Sequence, residues 1–377
     1  MPKPLVVCVV GTRPEAIKMA PVVLELRRFA SQLDTVLLST GQHREMLTQA
    51  LAAFGLVADR DLAIMQHGQT LAEVTSRALA GIDQAFAELS PSYVVAQGDT
   101  TTTFCAALAA FYRQIPFAHV EAGLRTPTVD NPFPEEFNRR AASLVTRLHF
   151  APTSWSADNL RREGYDESSI FVTGNTGIDA VRMVASSDPT EWYPEHQGRV
   201  LLLTTHRREN WGEPQRRIAT AAKRLVEAFP DTLLIVAMHR NPQVRELLRS
   251  VLGGQERIQL IEPPDYGPFV KLMQRSTLIL SDSGGVQEEA PAFGIPVLVL
   301  RDTTERPEGV EAGTAKLVGT DEEAIFPTAS ELLSDDARYR AMAQAVSPYG
   351  DGRASARIRF ELMKALNLDS PAETMWA

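Results

Sequence analysis

Cysteine is nearly absent: the 377 residues hold two, Cys8 in an apolar strand-like run and Cys105 in an alanine-rich helical run. Two isolated thiols exclude a disulfide framework and a clustered thiolate metal site, and both read as buried small hydrophobes suited to a reducing cytoplasm. Positive charge is scarce as well. The net charge of −9 excludes an extended nucleic-acid footprint, so an anionic ligand must be met by a few local cations. No apolar run is long enough to span a membrane. The first one, Leu5 to Val10, has a strand's length and runs into Gly11-Thr-Arg-Pro14, which reads neither as an export signal nor as a span. Also missing are a His-x-x-x-His pair, an Asp-rich loop and a Gly-x-Gly-x-x-Gly turn after the first strand. These absences argue against a bound metal and against a dinucleotide fingerprint.

What is present is a chain 44% hydrophobic and 23% charged, too long for one ordinary core, which calls for two domains. Short β-branched runs alternate with helical spacing, the signature of right-handed βαβ units and parallel α/β sheets. Strands are expected at 5–10, 35–39, 93–96, 117–120, 148–151 and 170–173, then at 200–204, 233–238, 258–261, 278–281, 297–300 and 316–318. Helices are expected at 16–29, 71–89, 101–112, 213–229, 243–252 and 286–293, with Thr70 and Glu73 as a capping box. The stretch 174–198, rich in polar residues, Pro and Gly, marks a boundary between a first domain, 1–177, and a second, 178–353. A last helix within 354–377 is expected to complete the first domain, with a frayed tail from 369 onward.

In open parallel sheets, ligands bind beyond the carboxyl ends of the strands. Every unusual polar cluster falls at such an end, so two sheets facing across a cleft would offer a site of nucleotide size. Leu278 to Glu289 runs from an apolar strand through Ser283-Gly284-Gly285 into a helix, the anatomy of a diphosphate cradle. Glu289, one turn further, is placed to accept ribose hydroxyls. Arg13 and Lys18 flank Pro14 at another helix start and bring cations and backbone donors to one spot. His206 stands among Arg207 and Arg208 after a strand. Asp99 and Glu121 end neighbouring strands, and Glu135 lies in the Pro-bounded loop 130–136; carboxylates crowded near an anion site are suited to proton transfer. Plainer readings stay open: a tight turn at Gly284, surface cations at Arg13 and Lys18, a structural His206, an N-cap at Asp99, a Glu121–Arg125 ion pair and a solvated Glu135.

Longer strings carry a resemblance. Gly11-Thr-Arg-Pro-Glu-Ala-Ile-Lys18, Gln97-Gly-Asp-Thr-Thr-Thr-Thr103, His119-Val-Glu-Ala-Gly-Leu-Arg-Thr126, Pro132-Phe-Pro-Glu-Glu136, Thr205-His-Arg-Arg-Glu-Asn210, Asp282 to Pro291 and Arg301 to Pro307 occur in order along nearly the whole chain. The sequence thereby resembles the non-hydrolysing bacterial UDP-N-acetylglucosamine 2-epimerases. The resemblance implies two Rossmann-like domains of the glycosyltransferase-B type, a cytoplasmic homodimer and no cofactor. It also implies reversible conversion of UDP-N-acetylglucosamine to UDP-N-acetylmannosamine through elimination of UDP to 2-acetamidoglucal and its re-addition, supplying cell-surface polysaccharide synthesis. Carried onto matching positions, Arg13, His206 and Ser283-Gly284-Gly285 hold the diphosphate, Glu289 the ribose, and Phe269 frames the uracil. Asp99, Glu121, Glu135 and His206 are the catalytic candidates, with Lys18 and Arg306 near sugar and phosphates.

The chain departs from the pattern in two places. Pro264 stands where a polar uracil-contacting residue is expected, which leaves that contact to backbone. Members activated by a second substrate molecule carry a Gln pattern after the second strand and a later Arg. Gln42-His43 is kept, but Glu45 and Gly68 fill the other positions, so such activation is expected to be weakened or absent. The rival readings are a hydrolysing epimerase that releases N-acetylmannosamine and UDP, a glycosyltransferase of the same fold, and a silent nucleotide-sugar sensor.

Overall fold

The structure, a computed structural model, describes residues 3–41, 44–64 and 68–376. The chain divides into two compact units, Met1–Met183 with Tyr349–Ala377, and Val184–Pro348. Each is built on an open, wholly parallel sheet. In the first unit β1 (Leu5–Val10), β2 (Asp34–Ser39), β3 (Arg60–Asp61), β4 (Tyr93–Gln97), β5 (Phe117–Val120), β6 (Thr146–Ala151) and β7 (Ile170–Val172) lie in the order β3-β2-β1-β4-β5-β6-β7. In the second, β8 (Arg199–Thr204), β9 (Thr232–Ala237), β10 (Ile258–Ile261), β11 (Leu278–Ser281), β12 (Val297–Val299) and β13 (Ala315–Leu317) lie in the order β10-β9-β8-β11-β12-β13. Strand order therefore reverses between β1 and β4 and between β8 and β11. These are the switch points where loops diverge and a crevice opens beyond the strand ends.

The central strands read as unbroken apolar runs because helices cover both of their faces. In the first unit Val7, Val9, Val94 and Ala96 pack against Ile82, Phe86, Ala106 and Ala110; in the second Leu201, Leu203, Leu278 and Leu280 pack against Ile218, Leu225, Leu248 and Ile325. All the expected strands form, and the two-residue edge strand β3 is added. Thr70 accepts the Glu73 amide at 3.3 Å while Glu73 Oε2 accepts the Thr70 amide at 2.7 Å, so the capping box is real. Both cysteines are buried, and burial pushes their thiols up to about 12. Among the described residues, no helix is long and apolar enough to cross a membrane.

Two expectations are corrected, the start of the helix 286–293 and the frayed tail. The division between the units falls within the stretch 174–198, inside the helix Thr176–Ser187, whose Ile178, Ala180, Val181 and Val184 are buried. Its polar Asp179 is buried too, accepting the Ala354 and Ser355 amides at 3.1 and 2.8 Å, so it caps the last helix, Ala354–Ala365, from within the same unit. The expected helix 286–293 starts earlier, at Gly284, and tightens into a 3-10 turn over Ala290–Phe293, where Pro291 has no amide to continue it. The tail is anchored rather than frayed. The Trp376 amide donates to Val172 O at 3.0 Å, Arg357 stacks 5.7 Å from the Trp376 ring, and Arg359 reaches Pro371 O at 3.0 Å and Glu373 at 3.1 Å.

Candidate functional site

In the first unit the switch point gathers Arg13, Lys18, Asp99 and Glu121. Gly11 closes β1 between two threonines: a Cβ there would overlap Thr102 Oγ1 and Thr40 Oγ1, so only glycine lets the chain turn into the helix Arg13–Arg27. The two amides that lead into that helix are already used. Glu15 is buried, and its Oε2 accepts the Gly11 amide at 2.8 Å, the Thr12 amide at 2.7 Å and Thr12 Oγ1 at 3.0 Å, while Oε1 accepts the hydroxyls of Thr100 and Thr103. Burial raises the Glu15 pKa, with these hydrogen bonds opposing it. The protein's own carboxylate thus takes the amides just before Arg13. Arg13 itself is half-buried, without an ion pair among the described residues. Glu15 also ties the loop after β1 to the loop after β4, which carries Asp99.

The carboxylates do not crowd one another unaided; Asp99 and Glu121 each have a donor of their own. Asp99 is paired with Arg139, and its carbonyl accepts Asn138 Nδ2 at 2.9 Å. Thr100, not Asp99, caps the helix Thr101–Tyr112. Glu121 accepts Lys18 Nζ at 2.8 and 2.9 Å and also the Gln97 amide. It is not paired with Arg125, which forks onto Glu163 at 2.8 and 2.7 Å. Glu121 adopts φ +63°, a left-handed backbone rare outside glycine, which is strain of the kind that persists where side-chain direction matters. Glu135 is not in a loop: it opens the helix Glu135–Ser143, half-buried, and the neighbouring Glu136 is the buried one, paired with Arg139 and Arg140.

Behind Asp99 two histidines face each other across β5 and β6, His119 and His149, both fully buried. His119 Nε2 donates to Gly98 O at 2.7 Å and so holds the turn before Asp99. Burial pushes His119 down to about 4 and His149 down to about 3. Both are neutral in the fold, whereas the unfolded chain takes up protons below about pH 6.5. Their contribution to stability is full above that value and is lost as the pH falls toward the folded values. The urea midpoint should therefore drop between about pH 7 and about pH 5, and His149→Phe should flatten the slope while keeping the ring against Tyr165. An equal slope in the variant would show that His149 does not drive it.

In the second unit the equivalent edge carries His206, Ser283-Gly284-Gly285, Glu289, Phe269 and Arg306. Ser283 caps the helix Gly284–Glu289, its Oγ accepting the Val286 amide at 3.5 Å. No acceptor among the described residues takes the amides of Gly284 and Gly285, which leaves two donors at the positive end of a helix dipole. Arg306 is held beside them by buried Glu288, its Nη2 4.0 Å from where a Gly284 Cβ would stand. Glu289 ends the helix half-buried, and Phe269 is half-buried in the first turn of Tyr266–Arg275, after β10 and Pro264. His206 Nδ1 lies 3.0 Å from Asp282 Oδ1. Burial would raise the Asp282 pKa, but the His206 hydrogen bond and charge and the donors of Arg207 and Asn210 outweigh it and hold the carboxyl below its usual range. Trp211 packs against the core of this unit.

Four working residues escaped the sequence reading: Glu15, Gln97, Arg139 and Asp282. Thr12-x-x-Glu15 has the capping-box spacing that could have revealed the first. The other three are chosen by contacts between distant segments. Gln42 and His43 lie outside the described residues, while Glu45 and Gly68 are exposed.

Two parallel Rossmann-like units, each with its polar residues gathered at the switch point, define an enzyme fold of the glycosyltransferase-B type. The model of the family "UDP-N-acetylglucosamine 2-epimerase" matches residues 25–363, and the chain belongs to that family. It is 52% identical over 365 residues to the UDP-N-acetylglucosamine 2-epimerase of Bacillus subtilis, covering 96% of each chain. Among solved structures, a protein from Listeria monocytogenes described as a UDP-N-acetylglucosamine 2-epimerase is 47% identical with a TM-score of 0.94, over 100% of both chains. The Neisseria meningitidis UDP-GlcNAc 2-epimerase bound to UDP-GlcNAc is 45% identical with a TM-score of 0.86, over 96% of this chain and 100% of that one. The glycotransferase of kitacinnamycin, 12% identical with a TM-score of 0.66, shares the fold alone.

Proposed function

We propose that the chain interconverts UDP-N-acetylglucosamine and UDP-N-acetylmannosamine as a non-hydrolysing epimerase, eliminating UDP to 2-acetamidoglucal and adding it back with inverted C2. The observation that carries this reading is the pair of carboxylates, Asp99 and Glu121, fixed by separate donors at one switch point. A glycosyltransferase needs no such pair. The C2 hydrogen is not next to a carbonyl, so its removal requires a leaving group to depart with the bonding electrons. UDP is that group, and donors preorganised for its growing charge are each worth about 10²–10³ in rate. Gly284, Gly285, His206, Arg13 and Arg306 are assigned to the diphosphate, Glu289 to the ribose and Phe269 to the uracil. Asp99, Glu121 and Glu135 are assigned to proton transfer at the sugar, with Lys18 holding Glu121.

The product serves cell-surface polysaccharide synthesis in the cytoplasm, and the enzyme acts as a homodimer. Phe111, Tyr112, Phe137 and Leu144, each more than half exposed on neighbouring helices of the first unit, offer an apolar face for a second copy. Incubation with UDP-N-acetylglucosamine in D₂O, followed by proton NMR, tests the reaction. Deuterium should enter C2 of both UDP-sugars. Release of free N-acetylmannosamine would mean hydrolysis, and epimerisation without C2 exchange would sink the elimination step.

A further inference from the structure

We infer that Asp282 is the positioning residue for His206: it holds a proton on Nδ1 and so lets the ring, set between two anions, carry a second proton at Nε2 and donate it to a phosphate oxygen. The functional half of this statement rests on the reading of His206 as a diphosphate ligand; the tautomer half does not. Asp282 is fully buried directly after β11 and accepts from every side. Oδ1 takes the His206 main-chain amide and Nδ1, both at 3.0 Å. Oδ2 takes the Arg207 amide at 3.0 Å and Asn210 Nδ2 at 2.9 Å, and Asn210 is itself tied to Leu300 O at 3.1 Å. A carboxylate with four donors around it is ionised and cannot donate, so the ring nitrogen facing it must carry the proton. His206 has one other ring nitrogen, on a side chain 46% exposed. Asp282 also immediately precedes Ser283, so one buried side chain joins the loop after β8 to the glycine turn after β11 and fixes the distance between two phosphate-binding elements.

Asp282→Asn in the full chain separates this role from simple packing. The amide oxygen must sit where Oδ2 sits, because there it keeps the Arg207 amide, Asn210 Nδ2 and the His206 main-chain amide, which lies 3.1 Å from Oδ2, whereas the opposite flip would set NH₂ against all three, donor against donor. The NH₂ then faces His206 Nδ1 and donates to it, which forces the Nε2–H tautomer. Imidazole ¹⁵N spectra should show Nδ1 protonated in the parent chain and unprotonated in the variant. UDP affinity should fall about tenfold, since a neutral ring replaces a charge-assisted donor, and C2 exchange about 10²-fold. An unprotonated Nδ1 in the parent chain overturns the proposal even if the variant does not fold. A tautomer change with unaltered affinity and exchange also overturns it. His206→Ala binding UDP as tightly as the parent would instead refute the diphosphate reading of His206 and leave the tautomer result standing.

Discussion

Asp99→Asn is expected to cut C2 exchange by about 10³-fold while leaving UDP affinity within about twofold, the range found when a positioned proton-transfer group is lost. The substitution keeps the shape of the site. The new side-chain amide still offers an oxygen to Arg139, the main-chain carbonyl at the same position still accepts Asn138, and His119 still holds Gly98. What is lost is the capacity to take or return a proton. UDP affinity should survive because the groups assigned to the diphosphate, Arg13, His206 and the unclaimed amides of Gly284 and Gly285, are left untouched. Arg13→Ala serves as the contrast. It removes a cation with no ion pair among the described residues, so UDP binding should weaken about tenfold as a charged hydrogen bond disappears. Isothermal titration with UDP and deuterium exchange by NMR read the two effects separately. If Asp99→Asn lost UDP binding and Arg13→Ala lost only exchange, the two roles would have to be exchanged.

Arg359→Ala should lower the free energy of unfolding by about 3 kcal/mol, the cost of removing one member of a buried ion cluster. Arg359 is 2% exposed and lies between Glu25, at 3.3 Å, and Glu373, at 3.1 Å, with its guanidinium 4.7 Å from the centre of the Phe29 ring. Alanine would leave two nearly buried carboxylates relying on Arg28 and Arg353, which are largely exposed and screened by water. It would also release the tail, whose Ser370 and Pro371 bind the same guanidinium. Urea unfolding at neutral pH measures the change. A loss under about 1 kcal/mol would mean that the exposed arginines suffice. Both predictions concern residues far apart in sequence that meet only in the fold.

The strands show how much was legible locally. A strand buried on both faces must be a short continuous run of β-branched and aliphatic residues, so Leu5–Val10 and Leu278–Ser281 could be read without any partner. Ser283-Gly284-Gly285 was legible for the same reason: a glycine turn between strand and helix is a local device, and its two unclaimed amides follow from helix geometry. Short charged helices were not. Glu135–Ser143 follows a Pro-rich segment and carries four charged residues, so its pattern looks like a loop until its buried face, with Glu136, Asn138 and Arg139, finds partners. The helix Thr176–Ser187, in the polar stretch after Gly174, was equally illegible, because Asp179 is buried as a cap for a helix that begins 175 residues later.

The chain's own order of residues determined the two α/β units, the strands and the position of each polar cluster at a strand end. All of these depend on hydrophobic period and turn chemistry within a few residues. Only the tertiary structure decided which donor each carboxylate receives. Lys18 meets Glu121 across 103 residues, Arg139 meets Asp99 across 40, and His206 meets Asp282 across 76. It also decided that Glu15 takes the amides of Gly11 and Thr12 before the first helix. Charge pairing is governed by distance and burial in space, and parallel crossovers bring residues together at intervals no local pattern encodes.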